Sequence, residues 1–111
     1  MWRFSSPDRD GPFSWSALSD PKHYKDVMEK LHQFETMQET QIRAQGSHPV
    51  TIDQFSKQAR DSLCAIKHDD IDELMSFRIT GASRVWCLMH QNMMLVLWWD
   101  PQHEVCPCLK K

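Results

Sequence analysis

From residue 73 onward the chain alternates. Met75, Phe77 and Ile79 are separated by Ser76, Arg78 and Thr80, a period of two that predicts a half-buried strand over 74–80. Gly81-Ala82-Ser83 supplies turn residues, and the apolar runs 84–90 and 93–99 predict a hairpin closed around Gln91-Asn92. A two-residue loop sets Arg84 opposite Trp99, Trp86 opposite Leu97 and Leu88 opposite Leu95, so those six share one face. Val85, Cys87, Met89, Met94, Val96 and Trp98 share the other. Both faces are apolar and both need cover. One is the floor for the helices; the other holds Arg84, the only charged residue in the hairpin strands, beside two tryptophans. Asp100-Pro101 ends the sheet, and Glu104-Val105-Cys106 reads as an edge strand.

Upstream the period changes. Tyr24, Val27, Met28, Leu31 and Phe34 recur at helical spacing, and Ser19-Asp20-Pro21 is a capped start, which predicts an amphipathic helix over 21–35. Thr36-Met37-Gln38-Glu39 has the form of a capping box and predicts a short second helix running to Ala44. Gly46 to Pro49 breaks it, and Val50-Thr51-Ile52 predicts a brief strand. Asp53 then caps a third helix whose stripe is Phe55, Ala59, Leu63 and Ile66, with Lys57, Arg60 and Asp61 facing water. Residues 1–12 read as an irregular lead-in, and Phe13-Ser14-Trp15-Ser16 alternates as a short first strand. The fold class is therefore α+β, with N-terminal helices packed on a small antiparallel β-sheet formed mainly by the C-terminal third. One domain spans 1–111, mainly helical over 20–72 and sheet over 73–107, and the chain shows no internal repeat, low-complexity tract or dividing linker.

Composition narrows the partners more than the fold. A length of 111 residues with 41% hydrophobic positions suits one domain and one sizeable core. The longest apolar run, Met93 to Trp99, is far short of the roughly 18–20 residues needed to span a bilayer. Met1 to Asp8 lacks the pattern of a secretory leader, so the expected location is cytoplasmic and no membrane partner is expected. The formal charge of −2 excludes a general polyanion binder. Residues 1–72 carry 9 Lys/Arg against 12 Asp/Glu and residues 73–111 carry 4 against 3, so the acid lies in the helical half. Cys64, Cys87, Cys106 and Cys108 suggest no disulfide framework. His103, Cys106 and Cys108 can be read as part of a zinc site, but no second ligand pair accompanies them, so no metal or other cofactor is expected.

The stretches Ser76-Phe77-Arg78-Ile79-Thr80, Arg84-Val85-Trp86 and Met93 to Trp99 resemble the core of RelE/YoeB-type toxins of the RelE/ParE superfamily. That pattern is an Arg-bearing strand, a short turn, an Arg-hydrophobic-aromatic strand, a tight turn, an apolar strand and a terminal His/Tyr segment, all preceded by a helical hairpin. The likeness covers residues 20–105 in architecture and is residue-specific over 74–104. It implies ribosome-dependent cleavage of messenger RNA, inhibition of translation, and a cognate antitoxin as partner. Arg84 falls where the family has the arginine that stabilises the scissile phosphate, and Arg78 on an RNA-facing strand arginine. His103 falls within a position of the C-terminal acid–base residues. The chain departs from the pattern in its acidic balance, in lacking a C-terminal tyrosine, and in the longer 37–52 connection.

Cleaving RNA through its own 2′-hydroxyl needs a base, an acid and positive charge on the phosphate. The planar fork of arginine suits the last role, though Arg84 can equally be a structural cation stacked on an indole. The ordinary pKa of an imidazole suits His103 to acid–base work near neutrality, or the residue simply finishes a turn. Arg78 is an RNA contact or an exposed strand residue. Trp86 and Trp99 stack on bases or anchor the core, and Lys110 touches phosphate or is solvated. Two other functions fit the same residues: a non-catalytic protein-interaction module docking on the Arg84/Trp86/Trp99 face, and a same-fold toxin acting on another target such as DNA gyrase.

Overall fold

A computed structural model of the protein describes residues 2–3, 13–15, 18, 20–44, 46–65, 71–90, 93–102 and 104–106. Strand β1 (Trp2–Arg3) is followed by helix α1 (Pro21–Glu35), helix α2 (Glu39–Ala44) and strand β2 (His48–Thr51). A 3-10 turn (Ile52–Gln54) leads into helix α3 (Lys57–Ala65), and strands β3 (Glu73–Thr80), β4 (Ser83–His90) and β5 (Met93–Asp100) complete the chain. The fold is α+β. The three C-terminal strands are consecutive and antiparallel, as the alternation of the first, the turn residues and the apolar runs that follow predict, within a sheet ordered β1-β5-β4-β3-β2. β1 pairs parallel with β5 at Met94 and Leu95. The lead-in therefore contributes an edge strand at Trp2–Arg3, whereas Phe13–Trp15 is not a strand and instead offers the Phe13 carbonyl to Trp99 N–H at 3.1 Å. Trp2 is held by a bond from its Nε1–H to the Leu31 carbonyl (2.9 Å) and by edge-on packing against Phe77.

The helices start where local chemistry satisfies their first N–H groups. Asp20 caps α1 by accepting from Lys22 N–H at 2.9 Å, ahead of Pro21. Val27, Leu31 and Phe34 form its buried stripe, but Tyr24 lies outside it at 50% exposure. The start of α2 sits two residues later than the sequence suggests. Thr36 closes α1, its hydroxyl donating to the Gln33 carbonyl, and Gln38 N–H donates to Gln41 Oε1 at the head of α2. Likewise Ser56, not Asp53, caps α3: its Oγ accepts from Ala59 N–H at 3.2 Å, while Asp53 accepts from the Thr51 hydroxyl. Phe55, Ala59 and Leu63 are buried and Lys57, Arg60 and Asp61 exposed, while Ile66 lies outside the described residues.

Both faces of the sheet are covered by this chain itself. Val27, Leu31 and Phe34 of α1 pack on Phe77, Val85 and Val96. On the opposite face Phe55, Ala59 and Leu63 pack on Leu74, Trp86 and Trp98. The face that holds Arg84 is thus covered by α3, which crosses behind the sheet after β2 extends it. Residues 104–106 do not extend the sheet either. Ser56 N–H donates to the Val105 carbonyl at 2.7 Å, and buried Val105 and Cys106 close the α3 side of the core.

The hairpin register holds near its turn and slips away from it. Leu88 faces Leu95, as two-residue closure requires, although Gln91 and Asn92 themselves lie outside the described residues. A bulge between Trp86 and Cys87 then shifts the pairing by one, giving Trp86 opposite Trp98, Val85 opposite Trp99 and Arg84 opposite Asp100. Leu97 is the extra residue, and it and Trp98 both enter the α3-side core, as a bulge allows. Trp99 moves to the α1 side. Each face thus receives one of the two adjacent indoles of β5.

Candidate functional site

Three charged side chains line up across the sheet where the β3–β4 turn and the end of β5 meet. Arg78 pairs with Arg84 across β3–β4, and Arg84 with Asp100 across β4–β5, all on the α3 side. Like charges on directly opposed strand residues repel, and nothing among the described residues forms a salt bridge with either arginine. Arg84 is half-buried. Burial lowers its pKa first and the neighbouring Arg78 charge second, while Asp100 pulls the other way. At neutral pH the guanidinium remains charged.

Each arginine is positioned by backbone. Nη1 of Arg84 donates to the carbonyls of Gly81 (2.7 Å) and Ser83 (3.0 Å), and no described residue engages its Nε or Nη2. The turn that supplies those carbonyls is tight: Gly81 has φ +43°, and Ser83 Oγ donates to the Thr80 carbonyl and accepts from Thr80 N–H. Arg78 N–H donates to the hydroxyl of fully buried Ser47 at 2.9 Å. Its side chain runs against Gly46, where a Cβ would sit 3.1 Å from Arg78 Cδ. The arginine is exposed but not loose.

Asp100 is 1% exposed and is the pivot of this end. Its carboxylate accepts from Trp86 Nε1–H (3.2 Å), Glu104 N–H (2.8 Å) and Val105 N–H (3.0 Å). These bonds fold the chain back immediately after β5. The sequence reading placed Asp100 only as the residue that, with Pro101, ends the sheet. The available signal was an acid directly after an apolar strand and before Pro101, a pattern that favours side-chain-to-backbone turns. His103 and Lys110 lie outside the described residues.

Two expected substrate contacts are core residues instead. Trp86 is fully buried, edge-on to Phe55, and Trp99 is 4% exposed beneath α1, so neither offers a free ring face for a base. The bulge also places them on opposite sides of the sheet, which dissolves the Arg84/Trp86/Trp99 docking face. Cys87 and Cys106 are buried and Cys64 is exposed on α3. The Cys106 thiol donates to the Gln54 carbonyl, which ties the closing segment to the 3-10 turn. No group of metal-ligating side chains gathers among the described residues.

On the α1 side of the same end lies a cleft of about 430 Å³, bounded by His23 and Asp26 of α1, the β3–β4 turn, Trp99 and Gln102. Among the described residues no helix is long and apolar enough to cross a membrane. Compared with family models, with characterised proteins and with solved structures, the chain matches none.

Proposed function

We propose that the chain is a toxin of the RelE/YoeB kind, an endoribonuclease that cuts messenger RNA on the ribosome through the 2′-hydroxyl and is restrained by a cognate antitoxin. The observation that carries this reading is the facing pair Arg78 and Arg84. Two guanidinium groups on opposed strand residues repel each other, and a phosphate seated between them turns that repulsion into attraction. Attack by the 2′-oxygen adds negative charge to the phosphorus oxygens, and prepositioned arginines stabilise that charge more than they stabilise the ground state. The 2′-hydroxyl gives up a proton and the departing 5′-oxygen takes one, so a single histidine can serve both steps. His103 carries that role in this reading. In sequence it directly precedes Glu104 and Val105, whose N–H groups donate to the Asp100 carboxylate. Trp86 and Trp99 drop out of the substrate-binding set, and Lys110 adds charge for the backbone of the RNA. The protein acts in the cytoplasm, where ribosomes are.

The test is cleavage of messenger RNA on programmed ribosomes by the purified protein. His103→Ala is expected to slow cleavage by about 10²–10⁴-fold and Arg84→Ala by about 10²–10³-fold, both with unchanged circular dichroism. Arg84→Lys should rescue poorly, because a point charge does not replace the fork. Folded alanine variants that cut as fast as the parent would overturn the site. A parent that cuts nothing would hand the protein to a second reading, a non-catalytic interaction module, which the net charge of −2 favours. Arrested replication with intact translation would instead indicate a gyrase-type target.

A further inference from the structure

We propose that His48 is a further catalytic residue of the Arg78/Arg84 site, the base that takes the proton from the attacking 2′-hydroxyl; the inference rests on the endoribonuclease reading. β2 pairs with β3 so that His48 lies opposite Ser76, and the same row of the ladder runs on to Trp86 and Trp98. Residues directly opposite one another project to the same side of a sheet. Trp86 and Trp98 belong to the α3-side core, as does Val50 two residues beyond His48, so His48 projects to that side as well. The adjoining row on that side is Arg78, Arg84 and Asp100. His48 and Arg78 are therefore diagonal neighbours, a relation that sets residues roughly 7–8 Å apart, within reach of long side chains. Arg78 also leans toward β2. Its Cδ lies over Gly46, two residues before His48, and its N–H donates to Ser47 Oγ at 2.9 Å. Gly46, Ser47 and His48 are consecutive, so the contacts that fix Arg78 also fix the start of the strand that carries the histidine.

The imidazole is held in one form. Nδ1 lies 3.1 Å from the Pro49 carbonyl oxygen, which can only accept. Nδ1 is therefore the donor, and the neutral ring keeps its lone pair on Nε2. No described residue engages Nε2. His48 is half-buried and Arg78 exposed, so the corner they share is open to solvent. A ribose on the β2 side of a phosphate held by the two arginines brings its 2′-hydroxyl to Nε2. The 2′-O–H bond then breaks: its proton passes to Nε2, and its electron pair forms the bond to phosphorus as the bond to the 5′-oxygen breaks. The departing oxygen takes a proton from a second group, His103 in the reading above. The products are a 2′,3′-cyclic phosphate and a 5′-hydroxyl, and His48 returns its proton to water. In-line displacement puts the attacking and leaving oxygens on opposite sides of phosphorus. Two groups serve those two positions without either having to move.

The experiment is messenger RNA cleavage on programmed ribosomes by His48→Ala and His48→Asn, each checked by circular dichroism. The asparagine amide keeps a donor for the Pro49 carbonyl and supplies no base, so it decides the matter should alanine unsettle β2. Both variants should cut about 10²–10⁴-fold more slowly than the parent. A second substrate carries sulfur in place of the bridging 5′-oxygen at the scissile bond, and its thiolate departs without needing a proton. With that substrate the His48 variants should stay slow, whereas His103→Ala should recover most of the parent's rate. A folded alanine or asparagine variant that cuts as fast as the parent overturns the role of His48 alone, and so does a defect that the sulfur substrate erases. A parent that cuts nothing overturns the toxin reading, and this role with it.

Discussion

At Asp100 a single buried carboxylate satisfies an indole and two backbone N–H groups, so its removal strands three donors in the α3-side core. Asp100→Ala is expected to cost about 3–5 kcal/mol in chemical denaturation, because several unpaired buried groups are left together. Gly46 is constrained differently. Its φ of +93° is a region that side chains avoid, and a Cβ there would press on Arg78. Gly46→Ala should destabilise by about 1–2 kcal/mol, and in the nuclease reading it should impair cleavage beyond that loss of stability by displacing Arg78. Cys87 makes the protein sensitive to alkali. Burial holds its thiol well above the ordinary range, so the native state keeps a proton that the unfolded chain releases above about pH 8.5. The unfolded state then binds fewer protons, and stability falls as pH rises, by up to about 1.4 kcal/mol per pH unit from this group. Its full contribution is present below that pH. Urea melts from pH 7 to 10 should show the parent losing ground to Cys87→Ala, and parallel curves would contradict the assignment.

At the scale of elements, the caps and the bulge decide positions that periodicity leaves loose. Ser56 and Asp53 both precede α3 and both are good capping residues, but only Ser56 reaches a helix N–H. Ser56→Ala should therefore cost about 0.5–2 kcal/mol, whereas Asp53→Ala should cost much less, since its Thr51 contact is exposed. Equal losses would return the cap to Asp53. The bulge in β4–β5 reshapes the proposed site. It exchanges the faces of Trp98 and Trp99 and replaces an expected Arg84–Trp99 stack by an Arg84–Asp100 pairing. The proposed site thus became one of charges instead of aromatic rings.

Across the whole molecule the decisive arrangement is a sheet with α1 on one face and α3 on the other. Leu31 on α1 is 1% exposed and Leu63 on α3 is 1% exposed. Leu31→Ala and Leu63→Ala should each cost about 2–5 kcal/mol by denaturant titration. A Leu63→Ala variant as stable as the parent would mean that the α3 face is not a true core. With both faces filled, an antitoxin has no sheet face left to cover. In the proposed toxin reading it would have to engage other surfaces, and co-purification with a stoichiometric companion from the native host is the check.

The sequence by itself determined the elements whose cause is local. Alternation at Met75, Phe77 and Ile79, the glycine turn at 81, the Asp20-Pro21 start and the Val27/Leu31/Phe34 stripe each act through neighbours a few residues away, so periodicity and capping chemistry read them correctly. It also marked Arg78 and Arg84 as the residues to watch, because charges in apolar strands are conspicuous. Tertiary structure alone decided which residues share a face beyond the bulge and that α3 closes the second side. It also decided that Asp100 is a buried pivot and that Trp2–Arg3 forms an edge strand parallel to β5. These depend on contacts between distant segments, such as Ser56 with Val105 and Trp2 with Leu31. One inserted residue in a ladder inverts every later side chain, and no local pattern announces it. The two indoles at 98 and 99 were always going to lie on opposite faces; only packing against α1 and α3 could say which went where.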